Sequence, residues 1–542
     1  MKALRPVSAI ERSFSMQLLY STLILTGILT AVALVTTGCG SSGAAKTPPL
    51  SGNTNVTVMV TGTANDQLSE FDVAFQGITL TSQSGKTATL LSLPTSGPPS
   101  GAEFMHINGV AEPLVTASIP QDVYTSATVT PGVQADFVCI SLGQVDGQQT
   151  LATAQFNDGV PASAVTVALA SPLTVTGASM ALSLDLVVSQ SASVGNCLTP
   201  DGFYGYALTP TFNLTPLNLS ASPTNSANGK VAGLDGQITA IGTGNSFTLS
   251  IPDVEGSRPL AVSSNDGAVY QGISGFSALA VGTFVDMDGA IQPDGSLLAT
   301  RVAVEDPSAG DVFRGPLIEV APSVSVFTMH AHEWQGEGVL GLGGGSIDLN
   351  FGSSIFQISG QFTNLASLPF APSFNAANMV PGQEVYASLA SFSFDSSRPP
   401  ATTMTLMPQI IDGTVTASTQ SGNFTDYTVT LAPYDLFPLL AVQPGQTTVE
   451  NNPSQIEVYV DSNTQLLNTV ADLAPNNTLR FYGIVFNDNG TLRMDCAQVN
   501  DGVSFTPAPN ANSHLRVGSV QTLKRTSPGG LPEVNTTVIQ TH

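Results

Sequence analysis

Leu279-Ala-Val-Gly-Thr-Phe-Val-Asp-Met-Asp-Gly-Ala-Ile-Gln-Pro-Asp-Gly-Ser-Leu-Leu-Ala-Thr-Arg-Val-Ala-Val304 is the stretch whose reading decides the fold. It reads as a turn, a strand, a tight Pro293-Asp294-Gly295 turn and a second strand. An Asp-Gly pair between alternating apolar residues is a hairpin signal, because both turn positions tolerate positive φ. The same grammar returns at Met379-Val-Pro-Gly-Gln-Glu-Val-Tyr-Ala-Ser-Leu389 with Thr402–Met407. It returns again at Leu473-Ala-Pro-Asn-Asn-Thr-Leu-Arg-Phe-Tyr-Gly-Ile-Val485 with Thr491–Val499.

Working outward, each copy is preceded by a Gly-led strand, at Gly236–Ile241, Gly315–Val320 and Gly413–Ala417. A Phe/Tyr-Thr strand follows each, at Asn245–Ile251, Val324–His330 and Tyr427–Leu431. The period is roughly 80 to 100 residues, longer than the short solenoid repeats, so each unit is long enough for its own small core. Residues 229–307, 311–410 and 411–502 are therefore expected as three small β-modules. The aspartates of the first copy are not kept. Tyr386 and Ser388 take the places of Asp286 and Asp288 in the second, and Phe481 and Gly483 in the third. The repeated phrase resembles a family of repeated, OB-like small barrels of unknown function in secreted bacterial proteins. The first copy follows its pattern, and the third has Asn477 where the family has Gly. The resemblance implies barrels, which often bind oligomers on one face.

Before the array, residues 53–223 read as a β-sandwich. Val56-Thr-Val-Met-Val60 alternates like a half-buried strand, and turn signals punctuate short β runs up to the Pro-rich Pro210–Pro223. The phrases Phe71-Asp-Val-Ala-Phe-Gln-Gly-Ile-Thr-Leu80 and Ile119-Pro-Gln-Asp-Val-Tyr124 resemble a family of bacterial lipoprotein domains of unknown function. That resemblance brings no catalytic residues. The expected fold class is all-β: an N-terminal β-sandwich followed by an array of about three OB-like or barrel-like modules. Residues 503–542 are expected to be a largely disordered tail with one strand at Leu515–Leu523.

The N-terminus carries Lys2, Arg5 and Arg12 before an apolar run from Met16 to Val35, the pattern of an export signal. Val35-Thr-Thr-Gly-Cys39 then leads into a Gly/Ser/Pro linker over 40–52. This resembles the lipobox of bacterial lipoproteins, with Thr36 standing where Leu is usual. The resemblance implies a signal peptide over 1–39, with Cys39 diacylated as the first mature residue. The alternative is an uncleaved membrane anchor, since about 20 apolar residues span a bilayer. Either way the body is exported and held at a membrane, and the expected location is the cell envelope, at the outer membrane or cell surface.

Charged residues make up only 10% of the chain, and 15 basic residues face 39 acidic ones, for a net charge of −24. Phosphates would be repelled, which argues against nucleic acid and anionic lipid as partners. Cys139 and Cys197 could pair in an oxidising compartment, and Cys496 reads as a buried thiol.

Candidate chemistry is sparse. In a strand, His330 and His332 would share one face and could share a metal, with Trp334 beside them as a sugar platform, but no third ligand is identifiable. The bland reading places them at the edge of an exposed Gly-rich loop. Asp286, Asp288 and Asp294 invite calcium but lack the ligand spacing of a calcium loop, so a turn role is favoured. Gly341–Gly345 lacks the Lys-Ser/Thr of a phosphate loop, and no nucleophile elbow occurs. The expectation is an envelope protein with a structural, adhesion or ligand-binding role, no cofactor and no catalysis, its partners a membrane and glycans or envelope proteins. The alternative is an exported carbohydrate-binding protein or a hydrolase using carboxylates hidden in its loops.

Overall fold

A computed structural model of the chain describes residues 50–537 with gaps at 64–69, 94–99, 105–106, 108–109, 146–147, 158–163, 188–190, 195–205, 209–210, 218, 220–222, 224–227, 254–255, 337–344, 394–397, 433–434, 441–451, 468–472, 502–518 and 525–532. These residues belong to the compact unit Gly52–His542, apart from the two that precede it. The unit is nearly all β, as the strand-rich composition implies, and no helix among the described residues is long and apolar enough to cross a membrane.

The first domain is built from two sheets. One has four strands in the order Phe212–Leu217, Ser179–Val187, Asn53–Thr63, Glu112–Pro120. The other is centred on the pairing of Glu70–Ser82 with the long strand Asp122–Val145. Val56, Val58 and Val60 from one sheet meet Phe71, Val73 and Phe75 from the other in a common core. Each such side chain contributes about 1.5–3 kcal/mol on burial. The Pro120…Tyr124 phrase has a physical role: the Tyr124 hydroxyl donates to Pro120 O at 2.8 Å and closes the corner between two strands. Val56–Val60 is not half-buried as its alternation suggests. Its other face, with Met59, packs into the core of the neighbouring module, and Thr57 is buried with it.

The C-terminal segment also departs from expectation. Two strands are described rather than the one expected at 515–523, Ser519–Lys524 and Glu533–Thr537, paired with each other, while the rest of the expected tail lies outside the described residues. The first of them pairs with Gln148–Asn157, so the chain's end completes a sheet of its first domain.

The module after the first domain is a closed five-stranded barrel. Its strands are Lys230–Ile241, Ser246–Asp253, Gly256–Gln271, Phe284–Ile291 and Leu297–Ala303. The first pairs with the second, and the second with the third, antiparallel. The third runs parallel to the fifth, the fifth antiparallel to the fourth, and the fourth antiparallel to the first. The ring order is thus 1-2-3-5-4. Strands Gln409–Ser421, Phe424–Leu431, Gln455–Val460, Thr478–Asp488 and Thr491–Asp501 repeat all five pairings with the same senses. The middle module keeps the ring but breaks its third strand. Gly345–Asn350 pairs with Val326–Ala331, and Ile355–Ile358 runs parallel to Thr403–Leu406. The remaining pairings, of Asp311–Ala321 with Val326–Ala331 and Glu384–Leu389 and of Glu384–Leu389 with Thr403–Leu406, are unchanged. One ring is built three times, as rings 1, 2 and 3 in chain order.

One backbone clamp recurs in every copy. The amides of Gly282, Gly382 and Asn476 donate to Ile238, Leu317 and Val415 O, each at 2.8 Å. Each acceptor lies two residues after the strand-leading Gly236, Gly315 or Gly413. The three donors have φ of 91°, 97° and 73°, a conformation that Gly adopts freely and Asn tolerates. The buried Leu279, Met379 and Leu473 each sit three residues earlier. This alignment corrects the third copy by one residue. The counterpart of the family's Gly is Asn476 rather than Asn477, and those of Asp286 and Asp288 are Arg480 and Tyr482 rather than Phe481 and Gly483. An Asn-Asn pair leaves the register open, and only backbone conformation resolves it. Strand pairing agrees, since Asp235 faces Asp286, Arg314 faces Tyr386 and Asp412 faces Arg480.

The rings do not keep separate cores. Met59, Ala111 and Ala181 of the first domain join the core of ring 1. Phe424, Tyr459, Ile484 and Phe486 of ring 3 join that of ring 2. The hairpin tip at Gly295, with φ of 87°, docks on the first domain so closely that a Cβ there would collide with Thr116.

Candidate functional site

The histidines expected at a loop edge lie inside the molecule. His330 is wholly buried in Val326–Ala331, and His332 is 6% exposed just beyond it. The chain steps there to pair Glu333–Gly336 with the first strand of ring 2, so strict alternation stops between the two residues. His332 Nε2 lies 2.7 Å from Glu384 Oε1. Trp334 is half-buried and packs against the core of ring 2. Among the described residues, no group of three or more His, Cys, Asp or Glu side chains is placed to hold a metal ion.

The aspartates of the opening stretch separate into two roles. Asp286 and Asp288 project from one face of their strand onto the Arg301 guanidinium, each at 2.8 Å. Asp288 also accepts the Gly233 amide at 2.9 Å. Asp294 instead caps the hairpin turn, accepting the Ser296 amide and hydroxyl, and these bonds lower its carboxyl below the usual range. Cys39 and Cys197 lie outside the described residues, and Cys139 lies in the strand Asp122–Val145. Cys496 is a free, buried thiol, pushed up by burial.

Buried charges tie the modules together. Arg258 of ring 1 is held by the first domain: Nε donates to Pro113 O at 3.0 Å, and the two terminal nitrogens to Gly101 O and the Glu112 carboxylate at 2.7 Å. Arg314 of ring 2 donates to Asp235 of ring 1 at 2.6 Å and lies 3.5 Å from Glu384. Asp235 and Arg314 occupy equivalent places, one residue before Gly236 and Gly315, so the same site of two ring copies has become a complementary pair.

The outward face of the second and third strands differs sharply among the rings. In ring 1 the corresponding residues are Thr248, Ser250, Pro259 and Ala261, none of them charged or aromatic. In ring 2, Val326–Ala331 is buried throughout. In ring 3, Val429, Leu431, Ile456 and Val458 fill the barrel, so alternation turns Asp426, Glu457 and Tyr459 away from it, Glu457 staying part-exposed and Tyr459 buried against ring 2. Arg493 of the neighbouring fifth strand joins them, donating to the Tyr459 hydroxyl at 2.8 Å and lying 3.3 Å from Glu457. Its guanidinium also stacks 5.2 Å from the Phe370 ring, contributed by ring 2. Phe370 and Tyr459 are 5.4 Å apart. Arg493 and Glu457 keep 23% and 32% of their side-chain surface exposed, so solvent reaches the cluster. Partial burial and the neighbouring Glu457 push the Asp426 carboxyl up to about 6, against the pull of Arg493. Oδ1 of Asp426 is buried with no hydrogen-bond partner among the described residues. Sequence reading passed over these residues because each is ordinary alone; the alternation of Phe424–Leu431 and Gln455–Val460 was the signal that could have found them.

Residues 235–303 match the model of a family described as Domain of unknown function (DUF5666). The matched span begins one residue before Gly236 and ends with the last strand of ring 1, the copy in which the resemblance to a domain of unknown function is read from sequence. No curated protein matches the chain.

Proposed function

We propose that this is a lipid-anchored cell-envelope protein, displayed at the outer membrane or cell surface, that binds saccharide chains on the outward face of ring 3 and catalyses no reaction. The observation that carries this reading is the part-exposed Asp426, Glu457 and Arg493 cluster on that face, backed by the Tyr459 and Phe370 rings that seat ring 3 on ring 2. Barrels of ring order 1-2-3-5-4 use this face for oligosaccharides and oligonucleotides. A net charge of −24 disfavours the nucleic acid, and a part-exposed carboxylate–guanidinium set suits sugar hydroxyls. The lipobox-like Val35–Cys39 supports the anchor and the export.

A glycan array probed with the full chain tests the binding. Signal on a defined glycan class, lost in Arg493→Ala and Asp426→Ala but kept in Thr248→Ala of ring 1, is expected. Silence on every glycan, or equal loss in all three variants, would sink the idea. Release of product from a bound glycan, abolished by Asp426→Asn, would instead favour a carboxylate hydrolase, the raised Asp426 beside Glu457 being the feature that motivates the check. For the anchor, Cys39→Ala is expected to move the protein from the membrane to the soluble fraction, and unchanged attachment would refute it.

A further inference from the structure

We infer that the junction where the first domain meets rings 1 and 2 is a proton-controlled latch, closed while His332 is an imidazolium and loosened on alkalinisation. Five side chains form one path through the junction, cations between acids: Asp235, Arg314, Glu384, His332 and Glu103, with Asp235 retaining its proton at neutral pH. Arg314 bridges Asp235 of ring 1, at 2.6 Å, to Glu384 of ring 2, at 3.5 Å. His332 carries the path onward, with Nε2 2.7 Å from Glu384 and Nδ1 3.9 Å from Glu103 of the first domain. Glu103 is itself fixed, its other oxygen accepting the Phe71 amide at 2.8 Å. All five residues are at least nine-tenths buried. A neutral imidazole has one N–H, so it turns a lone pair toward one of the two carboxylates; only the imidazolium suits both.

Other charges face the same path. Glu333 borders His332 and Arg314, and Tyr482 of ring 3 faces Arg314. From ring 1 come Asp286 with its partner Arg301, and Glu305, hydrogen-bonded to Thr405. Carboxyls outnumber cations here, so the junction holds its charge balance only by retaining protons. Burial, aided by Asp286 and Glu333, pushes Asp235 up to about 8 against the pull of Arg314. Burial and Asp286 push Glu305 up to about 7. His332 is raised above its ordinary value by Glu384 and Glu103, which overcome its burial. The signs agree. The histidine's contribution is complete below its unfolded pKa and lost as pH rises through its raised folded value. The raised carboxyls hold protons that the unfolded chain releases, so stability falls as pH climbs through neutrality to about 8.

The experiment is hydrogen exchange on the full chain from about pH 6 to pH 9.5, corrected for intrinsic exchange, with small-angle scattering in parallel. Peptides containing Glu103, Asp235 and His332 are expected to lose protection together, by about tenfold or more, as pH passes about 8. Asp235→Asn, which mimics the protonated acid, should move that transition to higher pH. His332→Gln should show the loosened state at pH 6 while circular dichroism stays β. Should His332→Gln fail to fold, an NMR titration of the His332 ring in the unaltered chain decides the matter: its deprotonation is expected to coincide with the loss of protection, and a ring that is neutral while the junction is still protected would overturn the inference. Protection independent of pH, or a transition unmoved by Asp235→Asn, would overturn the inference.

Discussion

Replacing Arg258 by Met should cut ring 1 loose from the first domain. The guanidinium is buried, with its side chain and that of Glu112 each only 9% exposed, and it satisfies two backbone carbonyls as well as the carboxylate. Methionine fills similar volume but takes the Arg258 cation away from the buried Glu112 anion, and the carbonyls of Pro113 and Gly101 lose a donor each. Breaking a buried pair from one side costs about 3–5 kcal/mol. Removing both charges is far milder, because the penalty lies in the stranded partner, so the Arg258→Met, Glu112→Gln double variant should recover on the order of 1–3 kcal/mol. Native-state hydrogen exchange of Glu112–Pro120 and Gly256–Gln271 reads the opening free energy of the interface directly. A single-variant loss below about 1 kcal/mol, the range of an exposed pair, would show that the junction is wet and that the modules are not fused through it.

Gly295→Val should cost on the order of 1–3 kcal/mol from backbone strain alone, and more from collision with Thr116; exchange at Thr57 and Thr116 would report undocking of the tip, and a neutral result would contradict the packing. Asn476→Gly should be neutral or slightly stabilising, whereas Asn476→Ala should lose about 1 kcal/mol in denaturant titration, because the position needs positive φ. The Cys496 thiol should resist a disulfide reagent such as dithionitrobenzoate in the native protein and react only on unfolding, burial having raised it; prompt native labelling would place it at the surface instead.

Much of the architecture was legible because strand and turn chemistry is local. Pro293-Asp294-Gly295 marks a hairpin, and a Gly three residues after a buried Leu or Met marks the clamp. The third copy slipped by one because Asn476 and Asn477 look alike in sequence, and only the left-handed φ of Asn476 distinguishes them. The junctions were not legible, since burial of Arg258, Arg314 and His332 depends on partners 52 to 157 residues away. The same distance effect misled the reading of Asp286 and Asp288. Their cluster suggests a cation, and the cation is Arg301, across the hairpin. The outward cluster of ring 3 lay between these cases: strand alternation exposes Asp426 and Glu457, but nothing local says that Phe370 arrives from the preceding ring.

One ring has been built three times, with its third strand broken in the middle copy, and the copies present different faces. The most direct test of that claim is amide protection at Gly282, Gly382 and Asn476, measured residue by residue. All three amides are expected to be strongly protected through their bonds to Ile238, Leu317 and Val415, with the amides of Val281 and Asn477 less so at the two outer turns. Rapid exchange at Gly382 or Asn476, or stronger protection at Asn477 than at Asn476, would contradict it.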